Sequence, residues 1–469
     1  MQRGRYGDYQ LYWGDLHRQT SATCGGGSIR DNLRVCRDEF EMDFCAITDN
    51  AEIAEDPGDR LLPGPALRAH RHFLRGKEAH SLPPGYWEEL TAEMARAHRP
   101  GEFVPFLAYE WCSARWGDRN IYYPGDTGPL FLPQDVYSLL EGTHRHGGMA
   151  VPHHVGYAPG RRGMDWEAHD PRVERLVEIY STQHGCSELD RGNRFPLWSN
   201  SMGGNASGNS VADALLRGIH VGFNAGTDAH GLRQKPGLTG VWAKDGTRES
   251  LWEALWERRT VASTGARIAI TLTVEGALQG SAIATDRLPR IAITVEGPGR
   301  LIRVELIRQG DVIRTWHPKG PALAVELIDE QEPARPDTWY YVRVSEKGGE
   351  MAWSSPVWVS FLPEAPFARD ILYWVPRPRL QWAILPAGQG WLSRLRHTGC
   401  DRDGIIRVTG ITAGGDGTSP GLPLILAPGA SAECLTPGAG GKPFRLTMSE
   451  ATGERWTLLR HSPTVPSGS

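Results

Sequence analysis

Six apolar segments in the first half of the chain run directly into side chains that can ligate a metal. They are LYWGDLH (Leu11–His17), FCAITDN (Phe44–Asn50), FVPFLAYEW (Phe103–Trp111), MAVPHH (Met149–His154), LVEIYSTQH (Leu176–His184) and HVGFNAGTDAH (His220–His230). One His or carboxylate after a strand carries little information. Six such endings, separated by helix-like stretches, predict convergence, because the C-terminal ends of parallel strands in an α/β barrel open into one pocket. His, Asp and Glu gathered in such a pocket hold a divalent cation. The expectation is therefore a metal-dependent hydrolase.

The stretches between these segments read as helices. Leu33, Cys36 and Phe40 share one helical face, and so do Val136, Leu139, Leu140 and Thr143, with Asp135 as a cap and Gly147-Gly148 as a stop. Val211–Leu216 and Leu251–Trp256 are further candidates, and a helix is expected near Tyr86–His98 inside a Pro- and Gly-rich insertion from Ile53 to Pro100. Alternation of strand and helix from Leu11 to Thr260 predicts a mainly parallel sheet closed into a barrel. After Gly265 the period changes to two, in ARIAITLTVEG, RIAITVEG, LIRVELIRQGDVIRTW and TWYYVRVSEKGGEMAWSSPVWVSF, which predicts an antiparallel β-sandwich. The expected division is a barrel over 1–264, a β-sandwich over 265–362 and a further small β-rich region over 363–469.

Of the 469 residues 23% are charged, and the net charge is −4. That balance argues against a broad basic surface for nucleic acid. No uncharged apolar run approaches the ~18 residues of a membrane span. Seven Cys without a CxxC predict reduced thiols, and the N-terminus enters its first strand without an apolar leader, so a cytoplasmic protein with a small-molecule substrate is expected. Oligomeric state is left open.

GDLHRQTS, AITDNAE, AYEW, VPHHVG and GTDAH, in this order, resemble the PHP (polymerase and histidinol phosphatase) superfamily. The closer resemblance is to a PHP-like family known only as a domain of unknown function, whose C-terminal WYYVRV…GEMAWSSPVWV is matched by Trp339–Val359. The resemblance spans Leu11 to Ser360. It implies a distorted (β/α)7 TIM-like barrel, bound divalent metals and phosphoester hydrolysis. Carried over, the ligands are His17, Glu110, His153 or His154, Asp228 and His230. The residues themselves point the same way. His17 leaves a strand, Glu110 ends an apolar run where an unpaired carboxylate is costly, and Asp228 and His230 stand two apart, on one side of an extended segment. Adjacent His153 and His154 cannot both face a pocket from a regular strand.

Three imidazoles of the family pattern are replaced, by Gln19, Asn50 and Asp118. Oxygen-type donors suit harder ions, so one or two cations, Mn or Zn, are expected rather than three. Asp49 joins the expected ligands. Asp228, His230 and His184 are the expected catalytic groups. Asp15, Gln19, Asn50, Glu52, Asp118, Arg18, Arg119 and Tyr157 are expected around the ligands or at substrate. Cys24 and Cys186 read as inert thiols rather than nucleophiles, and Glu174 is expected on a surface turn. The expected chemistry is attack by a metal-bound hydroxide, on a phosphoester first and on an amide or lactone as the alternative. A degenerate, non-catalytic scaffold is the third reading.

Overall fold

The computed structural model describes residues 4–52, 82–199, 202–228, 230–285, 287–330 and 337–361, and beyond these eight strands between 373 and 460. Residues 53–81 of the expected insertion lie outside the described residues. The chain divides into two compact units. The first comprises Met1–Ser281, Ile291–Leu327 and Trp339–Val357; the second comprises Ala282–Arg290, Ile328–Thr338 and Trp358–Ser469. Both are dominated by sheet, and the helices lie in the first, a mixed α/β arrangement.

All six sequence-predicted strands form. In the first unit Tyr9–Arg18 pairs in parallel with Phe44–Ile47, which pairs in parallel with Val104–Cys112. The sheet is less parallel than the alternation predicts. Arg119–Tyr122 inserts antiparallel between Val104–Cys112 and Met149–Pro152, and Leu238–Ala243 runs antiparallel to Tyr9–Arg18. The reason is local: only a short loop separates Cys112 from Arg119, too short for the helical crossover that a parallel return needs.

The hydrogen-bonded path among these strands stays open among the described residues. Leu176–Ser181 and Gly222–Gly226 pair in parallel with one another in a separate small sheet. That pair is tied to its neighbours by isolated bonds. Ala150 N donates to Val173 O (3.1 Å), Asp228 N to His17 O (2.8 Å), and the Thr239 hydroxyl both donates to Ala225 O (2.7 Å) and accepts from Ala225 N (3.1 Å).

The helices follow their sequence signals. Ser28 and Ser210 build capping boxes with Asp31 and Asp213, Asp135 caps Val136–Arg145, and Thr247 caps Arg248–Trp256. Tyr86–Ala97 is helical as expected. Ile29–Arg34 continues as a π-helical turn, Val35–Glu39. The apolar core gathers Leu16, Phe44, Phe106, Val151, Leu176, Val241 and Leu255 between these helices and the strands.

The period-two segments after Gly265 are strands. Ala269–Val274 pairs antiparallel with 291–296. Thr260–Ser263 pairs antiparallel with Met351–Ser354, which pairs with Arg343–Ser345. The second unit contains two four-stranded sheets. One has the order Tyr373–Val375, Leu380–Ala387, Gly390–His397, Ser431–Pro437; the other has Leu424–Leu426, Ile406–Ala413, Phe444–Glu450, Arg455–Arg460.

Candidate metal centre

The strand ends of the first unit bring four overlapping donor groups together, all buried: His17, Glu110 and His153; Asp118, His153 and His154; His154, His184 and Asp228; and Glu110, Cys112 and Asp118. Within each group the donor atoms lie within 4.8 Å of one another.

His17 is the hub. Its Nδ1 lies 3.0 Å from Glu178 Oε2, and its Nε2 lies 3.4 Å from Glu110 Oε2 and 3.6 Å from Asp228 Oδ1. Burial alone would lower its pKa, but Asp228 and Glu178 outweigh burial and hold it well above the ordinary imidazole value. In return, although burial raises carboxylate pKa values, His17 and His184 hold Asp228 well below its own. Gly226 makes this contact possible, since a Cβ there would stand 2.5 Å from both Glu178 Oε2 and His17 Cβ.

Glu110 sits between three elements. Its Oε2 accepts hydrogen bonds from Gln19 Nε2 (2.8 Å) and Asn50 Nδ2 (2.9 Å), and its Oε1 lies 3.3 Å from His153 Nε2. The Gln19 and Asn50 amides, which stand where the resemblance expects imidazoles, are thus spent on orienting Glu110. Both His153 and His154 enter the cluster. The strand ends at Pro152, and His154 takes a left-handed backbone (φ 33°), which removes the alternation that would have sent one ring away. Asp228 is left-handed as well (φ 52°). Such conformations cost roughly 1 kcal/mol or more for non-glycine residues and gather at functional sites.

The rings form a continuous row. Centroids of His17 and His153 are 4.4 Å apart, those of His153 and His154 4.1 Å, and those of His154 and His184 4.8 Å. The row ends at Trp198, 6.2 Å from His184 and 53% exposed. Burial and the neighbouring His154 and His17 push the His153 pKa well down. Burial also opposes protonation of His154, but the Asp118 carboxylate 3.3 Å away raises its pKa. Asp118, despite burial, is held down to about 2 by Arg162, whose Nη1 donates to Oδ2 at 2.7 Å, and by His154. His184 Nε2 lies 3.0 Å from Asp228 Oδ2, and its Nδ1 is 3.0 Å from the Tyr157 hydroxyl.

Several expected residues stand elsewhere. Asp49 is outside all four groups, because it accepts from Thr20 N and Oγ1 (both 2.7 Å), from Thr23 Oγ1 and from the Tyr86 hydroxyl. His230 is exposed and outside them too. Asp15 is buried against Arg18 (3.2 Å) and Thr227 N (3.0 Å), and Arg18 is spent on Asp15, Asn32 and Leu232 O. Arg119 is buried against Glu174, which corrects the surface-turn reading of Glu174: that carboxylate is fully buried, accepting Arg119 Nε–H at 2.8 Å and Asp170 N–H at 2.8 Å. The side chain of Glu52 lies outside the described residues. Burial pushes the Cys186 thiol up, in keeping with an inert thiol.

Sequence reasoning missed Glu178, Cys112 and Arg162. The first two carried a signal. Glu178 is the one acid within the buried strand Leu176–Ser181, where an apolar setting penalises any carboxylate that has no task. Cys112 stands two residues after Glu110 in the same strand, hence on the same side.

Residues 206–294 match the family described as "Protein of unknown function (DUF3604)". An uncharacterized protein of Chlamydia trachomatis is 28% identical over 387 residues, 74% of this chain and 57% of the relative. One from Chlamydia pneumoniae is 26% identical over 386 residues with the same coverage. The chain thus spans 57% of the length of these curated relatives. Among solved structures, a two-domain protein from Bacteroides vulgatus containing a predicted PHP-like metal-dependent phosphoesterase is similar at 11% identity. That match covers 98% of this chain and 97% of the other, with a TM-score of 0.35.

Proposed function

We propose that this chain is a metal-dependent hydrolase whose centre is held by His17, Glu110, His153, His154, Asp118, His184 and Asp228. The carrying observation is the overlap of four buried donor groups at the strand ends, in which both ring nitrogens of His153 and Nδ1 of His154 make no hydrogen bond. Each such atom costs on the order of 1–3 kcal/mol when unpaired. Imidazoles and carboxylates in this number and spacing suit one or two divalent cations, Mn or Zn. The fold reading that goes with it is a distorted (β/α)7 barrel over 1–264, followed by a β-sandwich over 265–362 and a β-rich region over 363–469.

When bound, such a cation lowers the pKa of its water from 15.7 to about 7 and polarises the substrate. The chain's own groups supply the rest. His17 is fixed by Glu178, as ligating imidazoles generally are by a carboxylate on the second nitrogen. Glu110 is held by the Gln19 and Asn50 amides. His184, oriented at Nδ1 by Tyr157, presents Nε2 beside Asp228 as a further donor. Arg162, anchored on Asp118, offers positive charge for a developing oxyanion.

Phosphoester as substrate rests on the motif resemblance; an amide or lactone fits the same donors. The ligand is a small molecule rather than nucleic acid, and the reading includes no membrane partner and a cytoplasmic setting. No helix among the described residues is long and apolar enough to cross a membrane. The two amides standing where the resemblance expects imidazoles favour a second reading, a non-catalytic relative. Elemental analysis of purified protein, with a screen of phosphoesters, amides and lactones with and without Mn²⁺ or Zn²⁺, separates the two. Stoichiometric metal with chelator-sensitive turnover supports the hydrolase. A metal-free protein indifferent to chelator ends it.

A further inference from the structure

We propose that Cys112 supplies a thiolate to the centre and makes it select a thiophilic cation of the Zn²⁺ class over Mn²⁺ or Mg²⁺. The proposal rests on the metal-binding part of the reading above and adds a ligand type to it. Cys112 and Glu110 alternate along the buried strand Val104–Cys112, so both side chains leave the same face. Cys112 Sγ lies 3.2 Å from Glu110 Oε1, and Sγ, Glu110 and Asp118 form one of the four buried donor groups. His153 Nε2 approaches the same Glu110 oxygen to 3.3 Å and makes no hydrogen bond.

Glu110 Oε1 thus stands between one sulfur and one imidazole, with the Asp118 carboxylate in the same donor group as the sulfur. This mixed set suits a tetrahedral Zn²⁺ site, whereas Mg²⁺ and Mn²⁺ prefer oxygen donors throughout. The Cys112 S–H donates to that same Glu110 oxygen, and Asn50 Nδ2–H points to Cys112 Sγ at 3.4 Å. Asn50 occupies a position where the resemblance expects an imidazole, so the chain exchanges a nitrogen donor there for a sulfur donor one strand away. On binding, the Cys112 S–H proton leaves to solvent and the sulfur lone pair takes its place on the cation. Cys24 serves as the contrast. Its Sγ sits 2.9 Å from Asn50 Oδ1 and it belongs to none of the donor groups.

The test loads the full chain with Co²⁺ and records absorption. Visible d–d bands report cobalt in the protein; a near-ultraviolet thiolate-to-cobalt charge-transfer band reports sulfur on the metal. The expected result is both in the wild type, loss of the charge-transfer band with retained d–d bands in Cys112→Ser, and both retained in Cys24→Ser. Competition titrations should show Cys112→Ser weakening Zn²⁺ by about 100-fold and Mn²⁺ by less than about 10-fold. Cobalt bound in the wild type without a charge-transfer band overturns the proposal while leaving the metal reading intact. A band lost in Cys24→Ser and kept in Cys112→Ser overturns it too. No cobalt uptake at all overturns the metal reading and this proposal together. The wild-type spectrum decides even if Cys112→Ser does not fold.

Discussion

Two buried polar clusters in the first unit are each built around buried carboxylates and differ in how they are satisfied. Around Glu188, Oε1 accepts the Tyr341 hydroxyl (2.7 Å) and Arg343 Nη1 (2.8 Å), and Oε2 accepts Trp353 Nε1 (2.8 Å). Arg343 is further held by Glu305 at 2.8 Å. Nothing is left over, and the cluster pins the segment after Leu176–Ser181 to the strands near Met351. Around His17 imidazoles and carboxylates crowd together, yet His153, His154 and Glu178 keep buried atoms without hydrogen bonds, and His154 and Asp228 hold left-handed backbones. A satisfied network rigidifies a fold. An unsatisfied, strained one persists only where the surrounding structure enforces it, which marks a place kept for a task rather than for stability.

The largest effect should come from removing one side of the satisfied cluster. Ending the chain at Gly265 strips Glu188 of Tyr341, Arg343 and Trp353 and leaves Thr260–Ser263 without its partner Met351–Ser354. The exposed strand edge and bared apolar face should make the fragment aggregate. Light scattering and thermal unfolding check this; a soluble monomer as heat-stable as the full chain would show that Glu188's partners are dispensable.

The next effect belongs to the unsatisfied cluster and should leave the fold alone. Glu110→Gln keeps size and one oxygen to accept from Gln19 and Asn50 but removes the charge between His17 and His153. Metal content and turnover should fall to near background while the melting temperature stays within a few degrees, since a site whose atoms are already unpaired contributes little to folding. Full retention of metal and activity would place the functional site elsewhere.

The division between these clusters was only partly legible in the sequence. The six strand endings were, because apolar runs followed by His or carboxylate are local patterns. Satisfaction is not local. Asp49 has the motif of a ligand, yet Thr20, Thr23 and Tyr86 arrive from other segments and use its lone pairs. Glu174 lies in the polar stretch DPRVER and reads as a surface turn until Arg119, 55 positions earlier, closes on it. The barrel expectation came from alternation, which cannot register the short return Arg119–Tyr122 or the separation of Leu176–Ser181 and Gly222–Gly226 into their own sheet.

Glu174 offers an intermediate test from the satisfied side. Glu174→Gln leaves Arg119 buried without its counter-charge, which should cost about 3–5 kcal/mol in urea unfolding, with metal content of the surviving folded protein unchanged. The pH dependence sharpens it. Burial would raise the Glu174 pKa, but Arg119 outweighs burial and holds it below its ordinary 4.5. A depressed carboxylate contributes stability that is fully present above its unfolded value and lost as pH falls through its folded one. The gap between wild type and Glu174→Gln should therefore hold constant above about pH 5 and narrow on acidification below that. A gap that widens as pH falls would mean that Glu174 is protonated in the folded chain and the pairing is wrong.

The smallest effect is expected at His230, and it tests where the unsatisfied cluster ends. Its motif, GTDAH, places it two residues from Asp228, and an extended segment would aim both inward. The left-handed backbone at Asp228 breaks that geometry, so Asp228 turns into the cluster while His230 is exposed, its backbone N–H on Gln234 Oε1 at 3.0 Å. His184 stands on Asp228 instead. His230→Ala should therefore leave metal per chain unchanged and shift stability by no more than about 0.5 kcal/mol, the range of ordinary surface changes, whereas His184→Ala should weaken metal binding. Loss of metal in His230→Ala would mean that the His230 side chain turns inward once a cation is bound. The strain at Asp228 would then be a cocked state of the loop rather than its working geometry.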